Sequence, residues 1–429
     1  MSFNEAVQYI YSLTNLEVSR DKKIPESGIE NVKKALEYLQ LDFLSIPTFH
    51  IAGTKGKGTV STIVAYLLSK KGNNVGLFTS PHLLSMTERI SILNNGEVFF
   101  MTQEEFEDVY LEVREAKEKL NIDLTTFDFL TVMAMVYFVS KKVDYIVLEV
   151  GLGGRLDSTN FCMPKVCGIT LIDYDHTKIL GDTLEKIAYE KCGIIKNGVP
   201  VVSMYQKESV REVISNVARE KNSKITFIDN VYKVEEVKIS RNGTFARIKN
   251  LVDNKVFDIG TSLIGEHFVW NILMAFEMIQ EVLPREILLL EYSLLNDVNP
   301  PMRGRFEVIK RKPFVVFDVA HTPLSVEKSI LTFISLASTP RVLAISILKD
   351  KEIDKISKVL SNFEKEFKEV YVLRIGDPND GSEILKEKLK SLGIKALVID
   401  GVNFIPEVDT LFVGSFRSYG LVKGGVASF

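Results

Sequence analysis

Apolar residues follow two spacings along this chain. In MSFNEAVQYIYSL, Phe3, Val7, Ile10 and Leu13 recur at helical intervals among Asn, Glu and Gln, which predicts an amphipathic helix and not a secretory signal. Further on, PTFHIAG and NVGLFTS are short β-prone runs, DYIVLEV and VCGITLI are dense in Val and Ile, and the runs are apolar on both faces. Strands of that kind are covered on both faces, as in a parallel sheet flanked by helices. Between the first two runs, TVSTIVAYLLSKKG closes on Gly72 and predicts a helix. FDFLTVMAMVYFV is apolar all round and too short to span a bilayer, so it predicts a buried helix.

Beyond residue 228 the pattern alternates. VYKVEEVKISRNGTFARIK predicts an antiparallel hairpin with its turn at Asn242 and Gly243, and the paired prolines of NDVNPPMRGR mark a linker. Strand-like runs then return in FVVFDVA, RVLAISIL, VYVLRI, KALVID and TLFVGS, separated by charged helices such as KEIDKISKVLSNFEKEFKEV. The expected fold is α/β: an N-terminal phosphate-loop domain with a mainly parallel sheet over 1–297, and a smaller Rossmann-like domain over 298–429.

Composition changes this picture little. A chain of 429 residues exceeds what one core usually holds, in keeping with two domains. Its net charge of -3 provides no global attraction to nucleic acid or membrane, so an anionic substrate must meet local positive groups. Cys162, Cys167 and Cys192 lack CxxC spacing, which argues against a disulfide frame and a thiolate zinc site. A cytoplasmic monomer with no nucleic-acid or membrane partner is expected.

Candidate chemistry begins at HIAGTKGKGTV, residues 50–60. The phosphate-loop rule wants Gly-Lys followed directly by Ser or Thr, and here Gly58 intervenes between Lys57 and Thr59. The context is right, because strand, glycine-rich turn and helix N-terminus together bind anionic oxygens. Thr79, Ser80, Glu149, Asp173, Asp175 and His176 follow or close neighbouring strands, at the edge where an open parallel sheet binds its ligand. Ser80 and Glu149 offer oxygen ligands suited to magnesium. A salt-bridged strand end for Glu149 and a surface-loop position for His176 are the structural alternatives. The glycines of GLGGRLDSTN permit close backbone approach, with Arg155, Asp157 and Asn160 as polar anchors.

In order, GTKGKGT, TSPHLLSMTERI, EVGLGGRLDSTN, DHTKILGDTLEKIAYEKCGIIK, GEHFVWN, RGRFE, DVAHTP and VGSF resemble the folylpolyglutamate synthases and dihydrofolate synthases, folate members of the Mur ligase superfamily. In that family the glycine at position 58 is part of the signature, and Lys55 replaces an Asn. The resemblance implies a two-domain ligase that uses ATP and Mg2+ to join L-glutamate to a folate carboxylate through an acyl phosphate. It implies that Gly56, Lys57, Gly58 and Thr59 hold phosphates, and that Ser80, Glu149 and His176 ligate magnesium. It further implies that Asn271 meets adenine, that Arg305 and Asp318 reach ATP from the linker and second domain, and that His321 and Ser415 lie near glutamate. Lys191 is implied to carry a carbamate. Without the resemblance, His321 is a solvent-facing loop histidine, Ser415 a strand-end cap and Lys191 a snorkelling helix residue. The sequence departs from the family pattern at Phe268 (for Gln), Val319 (for Gly) and Thr322 (for Asn).

Two other functions compete. A Mur-type ligase acting on a cell-wall peptide would carry a UDP-sugar-binding domain ahead of the loop, whereas 52 residues precede Gly53. A non-catalytic nucleotide-binding regulator would keep the loop without needing the acidic set or Arg305.

Overall fold

The computed structural model describes residues 2–15, 25, 27–283, 292–400 and 406–427. Two compact units emerge: Met1–Lys238, Phe245–Ser262 and Glu266–Pro301 form the first, and Ile239–Thr244, Leu263–Gly265 and Met302–Phe429 the second. Because the second unit takes in two short pieces from before the linker, no single cut in the chain separates them.

The first unit is built on eight strands: β1 (Thr48–Ala52), β2 (Val75–Phe78), β3 (Ile90–Asn94), β4 (Glu97–Phe100), β5 (Tyr145–Glu149), β6 (Val166–Ile169), β7 (Val201–Ser203) and β8 (Ile225–Phe227). Their order is β4-β3-β2-β5-β1-β6-β7-β8. Strands β2, β5, β1, β6, β7 and β8 run parallel; β3 and β4 add an antiparallel edge. Every residue of β1 is buried, the polar Thr48 and His50 included; both are hydrogen-bonded, Thr48 Oγ1 to Ile46 C=O and His50 to Thr159. The edge hairpin turns at Asn95 and Gly96, both at positive φ, a conformation that Asn-Gly adopts readily.

Helix Thr126–Ser140 is the buried helix expected from FDFLTVMAMVYFV: Phe129, Leu130, Val132, Met133 and Ala134 are fully enclosed. Its N-terminus carries a reciprocal cap, with Thr125 and Asp128 each bonding the other's backbone N–H. The N-terminal helix Phe3–Ser12 joins the same core through Ala6 and Ile10. The alternating segment forms β9 (Tyr232–Ser240), β10 (Gly243–Asn250) and β11 (Val256–Thr261) in one sheet. Its first turn lies at Arg241 and Asn242, one position earlier than expected, because Gly243 already starts β10 with φ +138°.

In the second unit, β12 (Glu307–Lys310), β13 (Val315–Asp318), β14 (Arg341–Ser346), β15 (Glu369–Arg374), β16 (Ala396–Asp400) and β17 (Asp409–Gly414) form a sheet ordered β12-β13-β17-β14-β15-β16. All pairs are parallel except β12 with β13. At the start of β17, the Asp409 carboxylate accepts hydrogen bonds from Phe314 N–H at 2.8 Å, Ser338 N–H at 2.8 Å and Arg241 Nη2 at 2.7 Å. One carboxylate thus joins three segments of the chain. Asp409→Ala leaves the Phe314 and Ser338 N–H groups without this partner, while Arg241 keeps its bonds to Leu336 C=O and Ser338 Oγ; the change is expected to destabilise the second unit by on the order of 3 kcal/mol in denaturant titration. A loss indistinguishable from zero would show that water replaces the carboxylate.

Candidate functional site

The sheet order makes β2, β5, β1 and β6 consecutive neighbours, so the segments leaving their carboxyl ends share one edge. From β1 the chain turns at Gly53 (φ +142°) and Gly56 (φ +91°) into helix Lys57–Ser69. A Cβ on Gly53 would lie 1.9 Å from Thr170 Oγ1, so this turn admits only glycine. The exit from β6 braces the loop: Leu171 C=O accepts from the N–H groups of Thr54 and Lys55 at 3.0 Å, and Asp173 C=O accepts from Thr54 Oγ1 at 3.0 Å.

Gly58 explains the departure from the usual phosphate-loop spacing. A Cβ there would stand 3.1 Å from Glu149 Oε2 and 3.3 Å from Oε1. Ser80 N–H donates to the same Oε2 at 2.9 Å. Loop, β2 exit and β5 end therefore meet at one carboxylate. The loop's other flank faces Asn271, whose Oδ1 would be 3.1 Å from a Cβ on Gly56. Asn271 is buried on helix Glu266–Val282, which packs against helix Lys57–Ser69.

These oxygens suit magnesium in type. Ser80 and Glu149 present hard donors, and the missing side chain at Gly58 keeps space open beside the carboxylate. His176, at φ +49°, points Nε2 to 3.7 Å from Asp175 Oδ1. Among the described residues no cluster of three or more His, Cys, Asp or Glu side chains forms a closed metal cage. An ion that retains waters and takes phosphate oxygens needs none.

Lys191 is the most unusual group. It is 4% exposed, and Nζ donates to Gly53 C=O at 2.8 Å, tying helix Leu184–Cys192 to the start of the loop. Burial, reinforced by the neighbouring Lys57 charge, lowers its pKa to about 7. The GLGGRLDSTN segment clamps the end of that helix: Arg155 N–H donates to Glu190 C=O at 2.8 Å, and Asn160 Nδ2 bridges Arg155 C=O at 3.0 Å and Gly193 C=O at 3.1 Å. Asp157, buried beneath the segment, accepts from Leu152 N–H at 2.8 Å and from Thr159. Burial raises its pKa to about 6 against those hydrogen bonds. Thr159 also meets buried His50 at 2.8 Å, an imidazole that desolvation, and secondarily Lys196, depresses to about 3. The three cysteines are buried free thiols; burial pushes Cys162 and Cys192 up to about 12, so they are inert nucleophiles.

The second unit gathers its candidates at the carboxyl edge of its own sheet. Asp318 ends β13 and accepts from Ser329 Oγ at 2.6 Å and Ala320 N–H at 3.1 Å; burial raises its pKa. Arg305 is exposed and contributes to the electrostatic field at Asp318. His321 Nδ1 lies 2.9 Å from Val319 C=O, so that nitrogen carries the proton. Thr322 caps helix Pro323–Leu336 through Ser325, and Val319 and Phe268 are buried, which suits their departures from polar or glycine residues to local packing. Ser415 is buried just past β17. Ser346 and Ser418, which bond its backbone, had no sequence signal; they become visible only when β14 and β17 pair.

A glycine-rich turn at the carboxyl edge of a parallel sheet, with a carboxylate against it, defines a phosphate-loop nucleotide-binding protein. The Mur ligase middle domain family matches residues 51–279, and the Mur ligase glutamate ligase domain matches residues 304–413. A dihydrofolate synthase/folylpolyglutamate synthase of Bacillus subtilis is 31% identical over 344 residues, 78% of each chain. The crystal structure of folylpolyglutamate synthase from Thermotoga maritima superposes with a TM-score of 0.83 at 29% identity, covering 99% of this chain and 97% of that one. A solved FPGS-AMPPCP-folate complex gives a TM-score of 0.78 at 26% identity over 99% of both chains. This chain belongs to the folylpolyglutamate synthase/dihydrofolate synthase family of Mur ligases.

Two measurements check the site. Gly58→Ala forces its methyl group against the Glu149 carboxylate and is expected to lower nucleotide turnover by roughly tenfold or more, with little change in stability; parental turnover would show that the carboxylate yields without consequence. Lys191 binds its proton less tightly folded than unfolded, so folded stability rises as pH increases from about 7 toward the ordinary lysine range. Lys191→Met removes that slope. The stability of the variant relative to the parent should therefore fall across the same interval, by at most about 1.4 kcal/mol per pH unit; a flat difference would contradict a lysine with a depressed pKa.

Proposed function

We propose that the chain is an ATP-dependent ligase that adds L-glutamate to the carboxylate of a folate through an acyl-phosphate intermediate. The observation that carries this is the fit of Gly58 against Glu149, where a Cβ would come within 3.1 Å of the carboxylate; it supports reading the phosphate loop and an acidic metal ligand as one built unit. The family relationship provides the substrates: related proteins are folylpolyglutamate and dihydrofolate synthases, and one solved relative holds AMPPCP and folate.

In the proposed sequence the folate carboxylate oxygen attacks the γ-phosphorus of ATP and ADP departs. The glutamate amine then attacks the acyl carbon, a tetrahedral centre forms, and phosphate leaves as the amide closes. Gly56, Gly58 and Thr59 bind phosphate oxygens with the start of helix Lys57–Ser69, and Lys57 stabilises charge on the transferring group. Asn271 flanks the loop on the adenine side. Ser80, Glu149 and His176 would hold Mg2+, whose chemistry is to neutralise the phosphates. Arg305 and Asp318 are assigned to ATP, and His321 and Ser415 to glutamate. His321, whose Nδ1 is tied to Val319 C=O, is assigned to the proton that the amine gives up.

Lys191 is assigned as a carbamate. Its depressed pKa leaves a substantial neutral fraction near neutral pH, and the neutral amine adds carbon dioxide and releases a proton. The product replaces a buried cation with an anion beside Lys57.

The deciding assay is ADP release that requires both L-glutamate and a tetrahydrofolate or dihydropteroate. Release without glutamate would point to a simple ATPase. Lys57→Ala should lower glutamate-dependent release by about a hundredfold or more while the protein stays folded. Near-parental activity in that folded variant would overturn the assignment.

A further inference from the structure

The carboxyl ends of β14 and β17 are locked by serines. Ser346 is paired in register with Gly414, whose φ is +127° and whose Cβ, if present, would lie 1.8 Å from Ser346 C=O. The strands come that close only because residue 414 is glycine. Consequently Ser415 N–H reaches both Ser346 C=O at 3.1 Å and Ser346 Oγ at 2.9 Å. Ser418 Oγ donates to Ser415 C=O at 2.7 Å. That uses the one proton of Ser418, so in the 2.8 Å contact between the Ser346 and Ser418 hydroxyls the donor is Ser346.

The bonds form a one-way ring: Ser415 N–H to Ser346 Oγ, Ser346 O–H to Ser418 Oγ, Ser418 O–H to Ser415 C=O. Ser346 and Ser418 are each 1% exposed, so water does not compete for these bonds. Such a chain holds both backbone polar groups of Ser415 without using its side chain. Ser415 Oγ accepts from Arg417 N–H at 3.3 Å, and no hydrogen bond among the described residues takes its own proton. Arg417 in turn is ion-paired to Asp377, which pins the short Phe416–Ser418 turn from the other side.

We propose that Ser346 and Ser418 are positioning residues that aim the Ser415 O–H as a donor to a carboxylate of the incoming amino acid. The proposal rests on the assignment of Ser415 to the glutamate site and adds how that site is set. Neither serine touches substrate; both act through Ser415.

The test is initial-rate ADP release at saturating ATP and tetrahydrofolate, titrated with L-glutamate. Ser346→Ala and Ser418→Ala are each expected to raise the glutamate KM about three- to tenfold. Their kcat and ATP KM should stay within about twofold of the parent. Ser415→Ala should raise the glutamate KM at least as much, and Ser346→Ala/Ser415→Ala no further, since Ser346 acts only through Ser415. If Ser415→Ala raises the glutamate KM while Ser346→Ala and Ser418→Ala leave it unchanged, or if the double variant is additive, the positioning proposal is overturned and the glutamate assignment stands. If Ser415→Ala itself leaves the glutamate KM unchanged, the assignment fails and takes the proposal with it. Thermal unfolding monitors folding, and should Ser346→Ala not fold, Ser418→Ala and Ser418→Ala/Ser415→Ala carry the same comparison.

Discussion

The hydrogen bond from buried Lys191 to Gly53 C=O is the contact on which the first unit's site depends. An ammonium group in a protein interior is costly unless something of opposite polarity meets it. Here the partner is the carbonyl that begins the phosphate loop, which together with the charges of Asp175 and Asp157 offsets part of the cost of burying Lys191. The rest of the surroundings follow. The Gly154–Asn160 segment has to clamp the helix that carries Lys191; a Cβ on Gly154 would come 2.7 Å from Lys191 C=O. Buried Asp157 then has to hold that segment from below.

The second unit meets the same geometric rule with different chemistry. Parallel strands end together, and whatever follows them is gathered on one edge. In the first unit that edge collects Gly56, Lys57, Ser80 and Glu149; in the second it collects Asp318, Ser346 and Ser415. In each, a glycine with positive φ lets backbone and side chain approach more closely than a Cβ would allow. The first unit uses that approach to shape a space for anions, the second to make a hydroxyl ring.

Much of this was legible before any coordinates. Runs dense in Val, Ile and Leu announced the buried strands, since a residue covered on both faces is apolar unless, like His50 and Glu149, it finds a partner. The loop was legible because glycine spacing reflects backbone requirements that no other residue meets. Less visible was the β3–β4 hairpin, although Asn95-Gly96 is a turn signal, because β4 is a four-residue edge strand with no buried residue and carries no sustained apolar pattern. The turn before β10 was displaced by one residue because Gly243 serves the strand and not the bend.

The sequence alone determined the α/β class, the phosphate loop and, through its ordered motifs, the family, because each of these depends on residue type and local spacing. Tertiary structure decided what those residues meet. That Gly58 leaves room for Glu149, that Lys191 is buried against Gly53, and that Ser346 and Ser418 close on Ser415 are all contacts between segments far apart in the chain. The physical reason is that burial and hydrogen-bond partners belong to the packed sheet edge, where strand order brings distant residues together; no local pattern carries that order.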